Sequence, residues 1–402
     1  MRLTGVPLQI TVVVVALAAI VATVRLAPRV SGGRAMDVLA RLGLILGCQL
    51  CVVLAVLDVA NASFDFYGSW GDLVGVRAKT RNLAVPPANA SAANRSALVT
   101  PDPTAPRYRL PAGQGRIDSV VIHGTRTLIN ERAFVYLPQQ YFAASDRTRF
   151  PVLVAFTGYP GDAQNLITHL GLPRTVAQEV AAGRMPPTIV VMLRSTVAPP
   201  RDTECTDIPH GPQAETFFAQ DVPVALASAY RTADRAAGWG AMGDSTGGYC
   251  AAKLVMRNSD RYSAGISLAG YYHALQDFTT GDLYGRSKAY RDENDLLWRL
   301  RHLPSPPVSI LLTTSRVGEK DYAQTRRFLA LTRPPMRVAS ITLPFGGHHF
   351  STWRRELPPA LQWLGARLAG GTPTGSFTGR PTGPGTSGAP GPGGRSLSVG
   401  RR

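Results

Sequence analysis

The stretch Gly238-Trp239-Gly240-Ala241-Met242-Gly243-Asp244-Ser245-Thr246-Gly247-Gly248 decides the fold. A short apolar run ends at Gly243, and the apolar-rich segment 249–256 behind it predicts a helix. Between them stands Gly243-x-Ser245-x-Gly247, the strand–turn–helix setting of a nucleophile elbow. The glycines have a steric reason: in so tight a turn a side chain at either position would meet the neighbouring strand or helix. Ser245 then sits at the apex, and the backbone N–H of Thr246 points to where an oxyanion would form. The plain alternative is a glycine-rich turn with an ordinary serine. What separates the two is whether a base and an acid follow at suitable places.

Working outward, strands are expected at 119–123 and 133–137, then at 151–156, where a nearly continuous apolar run fits a strand buried on both faces. Further strands are expected at 188–193, 238–242, 264–268, 308–313 and 337–343, with helices at 214–230, 249–256 and 322–331. Such alternation predicts an α/β domain with a mostly parallel sheet and helices on both faces. Ligands of such sheets bind at the strands' carboxyl ends, where Ser245 lies.

A hydroxyl is a weak nucleophile until a base takes its proton. In this fold class the chain order is Ser, acid, His. The segment 337–343 is followed by Pro344-Phe345-Gly346-Gly347-His348-His349, a glycine-flexible loop able to bring an imidazole back to the serine. Spacing alone does not choose between His348 and His349. For the acid, the loop after 308–313 offers Glu319 and Asp321; Glu319 comes earlier and reaches further, and the other is expected to pair with Lys320 or an arginine. The second oxyanion donor is expected in Phe156-Thr157-Gly158-Tyr159-Pro160-Gly161, at the N–H of Tyr159.

These segments resemble the esterase D and mycolyltransferase branch of the α/β-hydrolases over roughly residues 116–368. The likeness rests on Val135-Tyr136-Leu137-Pro138 with Phe150-Pro151-Val152-Leu153-Val154, on Glu215-Thr216-Phe217-Phe218 through Val222-Pro223, on the elbow, and on Gly347-His348-His349-Phe350-Ser351-Thr352-Trp353. In that family the catalytic histidine stands five residues before the tryptophan, so the resemblance implies His348 as the base. In mycolyltransferases the acid sits on a helix, whereas 322–331 here carries none.

Outside that region the chain changes character. Residues 3–24 hold no charged residue; 22 residues at 1.5 Å rise span about 33 Å, enough for a bilayer. A second apolar run, 42–57, follows Arg25, Arg29, Arg34 and Arg41. Two transmembrane helices joined by an arginine-rich turn place that turn in the cytoplasm, and the domain outside it. The expected organisation is a two-helix membrane anchor at 1–60, an extracytoplasmic linker at 61–115, the hydrolase domain at 116–369 and a disordered Gly/Pro/Ser/Thr/Arg tail at 370–402. Phe64, Phe66, Tyr67 and Trp70 open the linker with rings suited to a membrane interface.

The net charge is +17, mostly arginine spread along the chain, without a recognised nucleic-acid module. An anionic envelope polymer or lipid is the expected partner for it, not nucleic acid. No metal or other cofactor is expected; Cys48 and Cys51 lack further ligands. Outside the cytoplasm Cys205 and Cys250 are expected to be joined, whereas a reducing compartment would leave two buried thiols.

The expected function is hydrolysis of carboxylic esters, with an ester or acyl-lipid substrate, through an acyl-enzyme on Ser245. An acyltransferase moving the acyl chain to a sugar or lipid hydroxyl uses the same residues, and a non-catalytic envelope-binding protein is the remaining alternative. The arginine bias places both termini outside. A reporter enzyme fused after Leu368 should therefore be active only outside the cytoplasm; cytoplasmic activity of that fusion rejects the orientation.

Overall fold

Every residue of Val152–Thr157 is buried, as a strand covered on both faces requires. In the computed structural model, which describes residues 6–30, 35–64 and 98–368, this segment lies in the middle of a nine-stranded sheet. In chain order the strands are β1 (Val99–Pro101), β2 (Arg116–His123), β3 (Asn130–Leu137), β4 (Val152–Thr157), β5 (Ile189–Arg194), β6 (Trp239–Asp244), β7 (Ala264–Leu268), β8 (Ser309–Val317) and β9 (Arg337–Phe345). They stand in the order β1-β2-β3-β5-β4-β6-β7-β8-β9. The first three strands run antiparallel to their neighbours, and β4 to β9 form the parallel part.

Successive side chains of a strand point to opposite faces, so β4 feeds two cores. Val152, Val154 and Phe156 pack with Leu226 of α4 (Val222–Ala229), Leu254 of α5 (Thr246–Arg257) and Phe328 of α6 (Tyr322–Leu331). Leu153 and Ala155 pack on the other face with Val176 of α3 (Leu172–Ala181) and with Leu357 and Leu361 of α7 (Phe350–Gly365). The expected α/β architecture with helices on both faces is thus the observed one. The parallel strands end at one rim, so the residues after β4, β6, β8 and β9 all emerge there.

Two helices precede the domain, α1 (Val6–Leu26) and α2 (Ala35–Phe64). They lie against each other, with Thr23 Oγ1 donating to the Leu44 carbonyl at 3.4 Å. Pro7–Leu26 and Ala35–Asn61 each have a mean hydropathy of 2.4, long and apolar enough to cross a membrane. The second helix is longer than the expected run of 42–57 because its flanking polar residues still favour helix.

The folded body begins earlier than residue 116. β1 pairs with β2, Leu98 and Ala105 are buried, and Tyr108 meets the Phe134 ring edge-on at 5.4 Å. A three-residue strand in a segment rich in Ala, Pro and Asn leaves no periodicity to read. β8 and β9 run past their expected ends because they go on pairing with each other as far as Val317 and Phe345. The expected helix at 214–230 is broken by a π-helical turn, Phe217–Asp221. The remainder of the expected linker, 65–97, and the expected tail lie outside the described residues.

Cys205, in the loop after β5, is joined to Cys250 on α5, with Cα atoms 5.6 Å apart. The bridge ties that loop to the helix that starts at the serine. With a sequence separation of 45 between the partners, loop closure accounts for about 4 kcal/mol of stability. Alkylation of the unreduced, denatured protein should leave both thiols unmodified, and Cys205→Ser with Cys250→Ser should lower the unfolding free energy by about that amount. Ready alkylation of both cysteines would remove the bridge from the description.

Candidate active site

The turn from β6 into α5 is built by close backbone approach. A Cβ on Gly243 would lie 2.3 Å from the carbonyl carbon and oxygen of Gly247, and one on Gly247 would lie 2.3 Å from the Phe156 carbonyl oxygen. Neither position admits a side chain, which is the steric reason expected of the pattern. Ser245 between them is held at φ 53 and ψ −123, a conformation an L-residue adopts at a cost of order 1–3 kcal/mol. Its N–H donates to the Leu268 carbonyl of β7 at 3.0 Å.

From that apex the Ser245 hydroxyl lies 2.8 Å from His348 Nε2, and His348 Nδ1 lies 3.4 Å from Glu319 Oε2. The second contact is long for a hydrogen bond, and such contacts often tighten only when substrate binds. Glu319 is nearly buried, its side chain 4% exposed, while His348 is 46% exposed. The imidazole and the Trp353 ring stand nearly perpendicular, with centroids 5.2 Å apart.

The other candidates separate cleanly. His349 starts α7: its Nδ1 accepts from the Thr352 N–H at 3.3 Å and from the Ser351 hydroxyl at 2.7 Å. It is a helix cap that also lines the cleft, while the hydrogen bond to Ser245 belongs to His348. Asp321 stands at the N-terminus of α6, where its carboxylate accepts from Gln324 Nε2 at 3.2 Å. The expectation that the second acid pairs with Lys320 or an arginine is thereby corrected: the first turn of α6 supplies a neutral donor instead. Burial raises the Asp321 pKa, and the nearby His348 and His273 oppose that shift.

Thr246 is the first residue of α5, so its N–H has no acceptor within the helix. Gly158 and Tyr159 follow β4 at the same rim. The Gly158 N–H donates to Asp244 Oδ2 at 3.0 Å, and the Tyr159 hydroxyl donates to the Pro200 carbonyl. Asp162, three residues further on, forms an ion pair with Arg194. The loop that carries Tyr159 is therefore fixed at three points. A cleft of about 210 Å³ opens over the serine, walled by Tyr159, Asn165, His348, Phe350 and Trp353. Among the described residues no cluster of three or more His, Cys, Asp or Glu side chains has the form of a metal site.

A polar layer under the elbow escaped sequence reasoning. The Tyr271 hydroxyl lies 2.9 Å from Thr246 Oγ1 and 2.7 and 2.8 Å from the two Glu204 carboxyl oxygens. Glu204 also accepts from the Leu275 N–H at 3.0 Å. Buried Lys253 donates to the Glu204 carbonyl at 2.8 Å and to Asn294 Oδ1 at 3.1 Å. Burial, with Asp202 adding to it, pushes Glu204 well above the usual carboxylate range, and burial lowers Lys253 to about 8. The only sequence signal was Glu204 standing beside Cys205. Asp244 was equally hidden, as the unspecified residue inside the elbow pattern.

Burial raises the Asp244 pKa to about 7, against the Gly158 N–H and His348, which favour the anion. Its Oδ1 is buried without a partner. A carboxyl whose pKa rises on folding stabilises the fold while protonated; that contribution is complete below the ordinary value of 3.8 and is lost as pH climbs through about 7. Asp244→Asn keeps an acceptor for Gly158 and removes the titration. Its melting temperature relative to wild type should therefore rise from about pH 4 to about pH 7 and level off above that in scanning calorimetry. A pH-independent difference would mean that Asp244 is ionised throughout.

Residues 129–364 match the family model described as "Putative esterase". An uncharacterised protein of Corynebacterium glutamicum is 22% identical over 244 residues, 58% of this chain and 57% of the relative; the match thus spans little more than half the relative's length. Among solved structures, a ferulic acid esterase superposes with a TM-score of 0.53 at 16% identity, covering 63% of this chain and 98% of the other. An S-formylglutathione hydrolase from Agrobacterium tumefaciens gives 0.53 at 13% identity, covering 65% and 99%. A fluorophosphonate-binding serine hydrolase of Staphylococcus aureus gives 0.51 at 15% identity, covering 62% and 98%. At these identities the structures speak for the α/β fold, while the family match covers more than half of the chain: the protein belongs to this esterase family.

Proposed function

We propose that the protein is a membrane-anchored serine esterase working outside the cytoplasm. The observation that carries the reading is the run of contacts from the Ser245 hydroxyl through His348 to Glu319 at the carboxyl rim of the sheet. Ser245 Oγ attacks the ester carbonyl while His348 Nε2 takes the hydroxyl proton. The Glu319 carboxylate faces Nδ1 and stabilises the imidazolium that forms. The N–H groups of Thr246 and Tyr159 receive the developing oxyanion. Collapse expels the alcohol, which takes its proton from His348. Water then attacks the acyl-enzyme by the same steps in reverse order.

Two further features support the setting. Both apolar helices are long enough for a two-span anchor, and the buried Cys205–Cys250 bridge suits an oxidising compartment. Serine, histidine and acid do not distinguish water from a sugar hydroxyl as the final acceptor. The hydrolytic assignment is tested by product: with a sugar added in excess, the acyl group should still leave as free acid.

The substitutions that test the mechanism are Ser245→Ala, His348→Ala, His349→Ala, Glu319→Gln and Asp321→Asn, each first checked for fold by circular dichroism. The first two should each lower kcat on a chromogenic ester by about four to six orders of magnitude, without adding when combined. Glu319→Gln should cost about 100-fold and Asp321→Asn less than about threefold. His349→Ala should keep most turnover and lose about 1 kcal/mol of stability as a helix cap. Turnover and fluorophosphonate labelling surviving in Ser245→Ala would end the serine-esterase reading; a dead His349→Ala beside an active His348→Ala would move only the base.

A further inference from the structure

A second groove, of about 440 Å³, is larger than the catalytic cleft. Its walls come from the loop between β7 and the helix Lys288–Asn294, and include Gln276, Asp282, Tyr284, Arg286, Lys288 and Arg291. Three cations therefore face one carboxylate. That carboxylate is already engaged: Asp282 Oδ1 accepts from the N–H groups of Tyr284 at 2.9 Å and Arg286 at 3.3 Å, and these bonds, with the Arg286 charge, keep its pKa low. Lys288 pairs with Asp292. Arg286 and Arg291 have no ion-pair partner among the described residues, and both are exposed to the groove. Arg286 is held at φ 63, between Gly285 at φ 58 and Ser287, so a left-handed turn aims this side chain. Conformations of that kind gather at ligand clamps.

The groove and the cleft are linked through one short segment, 200–202. Tyr159 lines the cleft, and its hydroxyl donates to the Pro200 carbonyl. The next residue, Arg201, donates from Nε to the Thr280 carbonyl at 2.8 Å and from Nη2 to the Asp282 carbonyl at 2.9 Å, while the Asp202 N–H reaches the Thr279 carbonyl at 3.1 Å. The strap 200–202 thus bonds both to the Tyr159 side chain of the cleft and to the backbone of the loop that carries Asp282 and Arg286. A planar guanidinium fork binds phosphate or carboxylate through paired hydrogen bonds, so two such groups over one open groove make a receptor for an oxyanion.

We propose that this groove binds an anionic group, phosphate or carboxylate, borne by the same substrate whose ester occupies the cleft. The proposal rests on the esterase reading for the cleft alone. The preferred substrate is then an ester that carries fixed negative charge some distance from the scissile bond.

Two series of esters test it, each member paired with its uncharged counterpart. One series places a carboxylate on the acyl side, as p-nitrophenyl monoesters of dicarboxylic acids of increasing length. The other places a phosphate on the alcohol side, as butyrates of ω-phosphoalkanols of increasing length. In at least one series one length should lower KM about tenfold against the uncharged ester, at similar kcat. Arg286→Ala with Arg291→Ala should remove that advantage and leave kcat/KM on uncharged esters unchanged. Arg326→Ala with Arg327→Ala, an exposed pair on α6, should leave the advantage intact and so controls for general surface charge. A direct titration with inorganic tripolyphosphate should show binding weakened about tenfold in the first double variant and unaltered in the second. The proposal is overturned if neither series shows the advantage, if it survives loss of Arg286 and Arg291, or if tripolyphosphate binds both double variants equally. Failure of the esterase reading would appear separately, as turnover of uncharged esters by Ser245→Ala, and leaves the titration able to decide.

Discussion

Three backbone segments meet at the elbow more closely than side chains permit. Gly243, Gly247 and the Phe156 carbonyl approach until no Cβ fits on either glycine. That contact locks β4, β6 and α5 together, and each of the three delivers something to one point. β4 delivers the loop with Gly158 and Tyr159, β6 delivers Ser245, and α5 offers the N–H of its first residue. A nucleophile on a flexible loop would reach the same atoms only by giving up entropy in each turnover. Here that cost is met once, on folding, and is visible as the left-handed backbone of Ser245.

The strained turn sits on a polar foundation and not on packed hydrocarbon alone. Asp244 grips the loop above it through the Gly158 N–H, while Tyr271 and Glu204 underlie Thr246. Lys253, fully buried on α5, reaches into the same layer, and the Cys205–Cys250 bridge lies beside it. Burying so many titratable groups is unfavourable unless each finds partners. Most of these do, and the result is a site whose backbone is held from above by one carboxyl and from below by another.

Which parts of this were legible in the sequence follows from the range of the signals. The elbow, the parallel strands and the His348 loop announce themselves through local patterns: glycine spacing, continuous apolar runs, a glycine pair before an imidazole. Glu319 and Asp321 could be narrowed to one loop, but only the start of α6 at Tyr322 separates them, because it turns Asp321 into the residue that meets Gln324. β1 was unreadable because three residues in a proline- and alanine-rich stretch carry no period. Glu204 and Tyr271 stand 67 residues apart, and nothing local to either tells of the other. Pairings at such separation are products of topology, which pattern reading reaches last.

The adjacent imidazoles at 348 and 349 illustrate how a helix end can set the reading frame of a site. His349 is committed to the first turn of α7, so the direction of its predecessor is dictated from downstream. Upstream, only Gly346 and Gly347 connect the end of the edge strand to that commitment. The two glycines are pinned on both sides: the Gly346 N–H donates to the Val317 carbonyl of β8 at 3.0 Å, and the Gly347 N–H donates to Thr352 Oγ1 of α7 at 3.0 Å. Alignment with the serine is therefore referenced to two elements at once, the end of β8 and the first turn of α7, where Trp353 and Leu357 are buried.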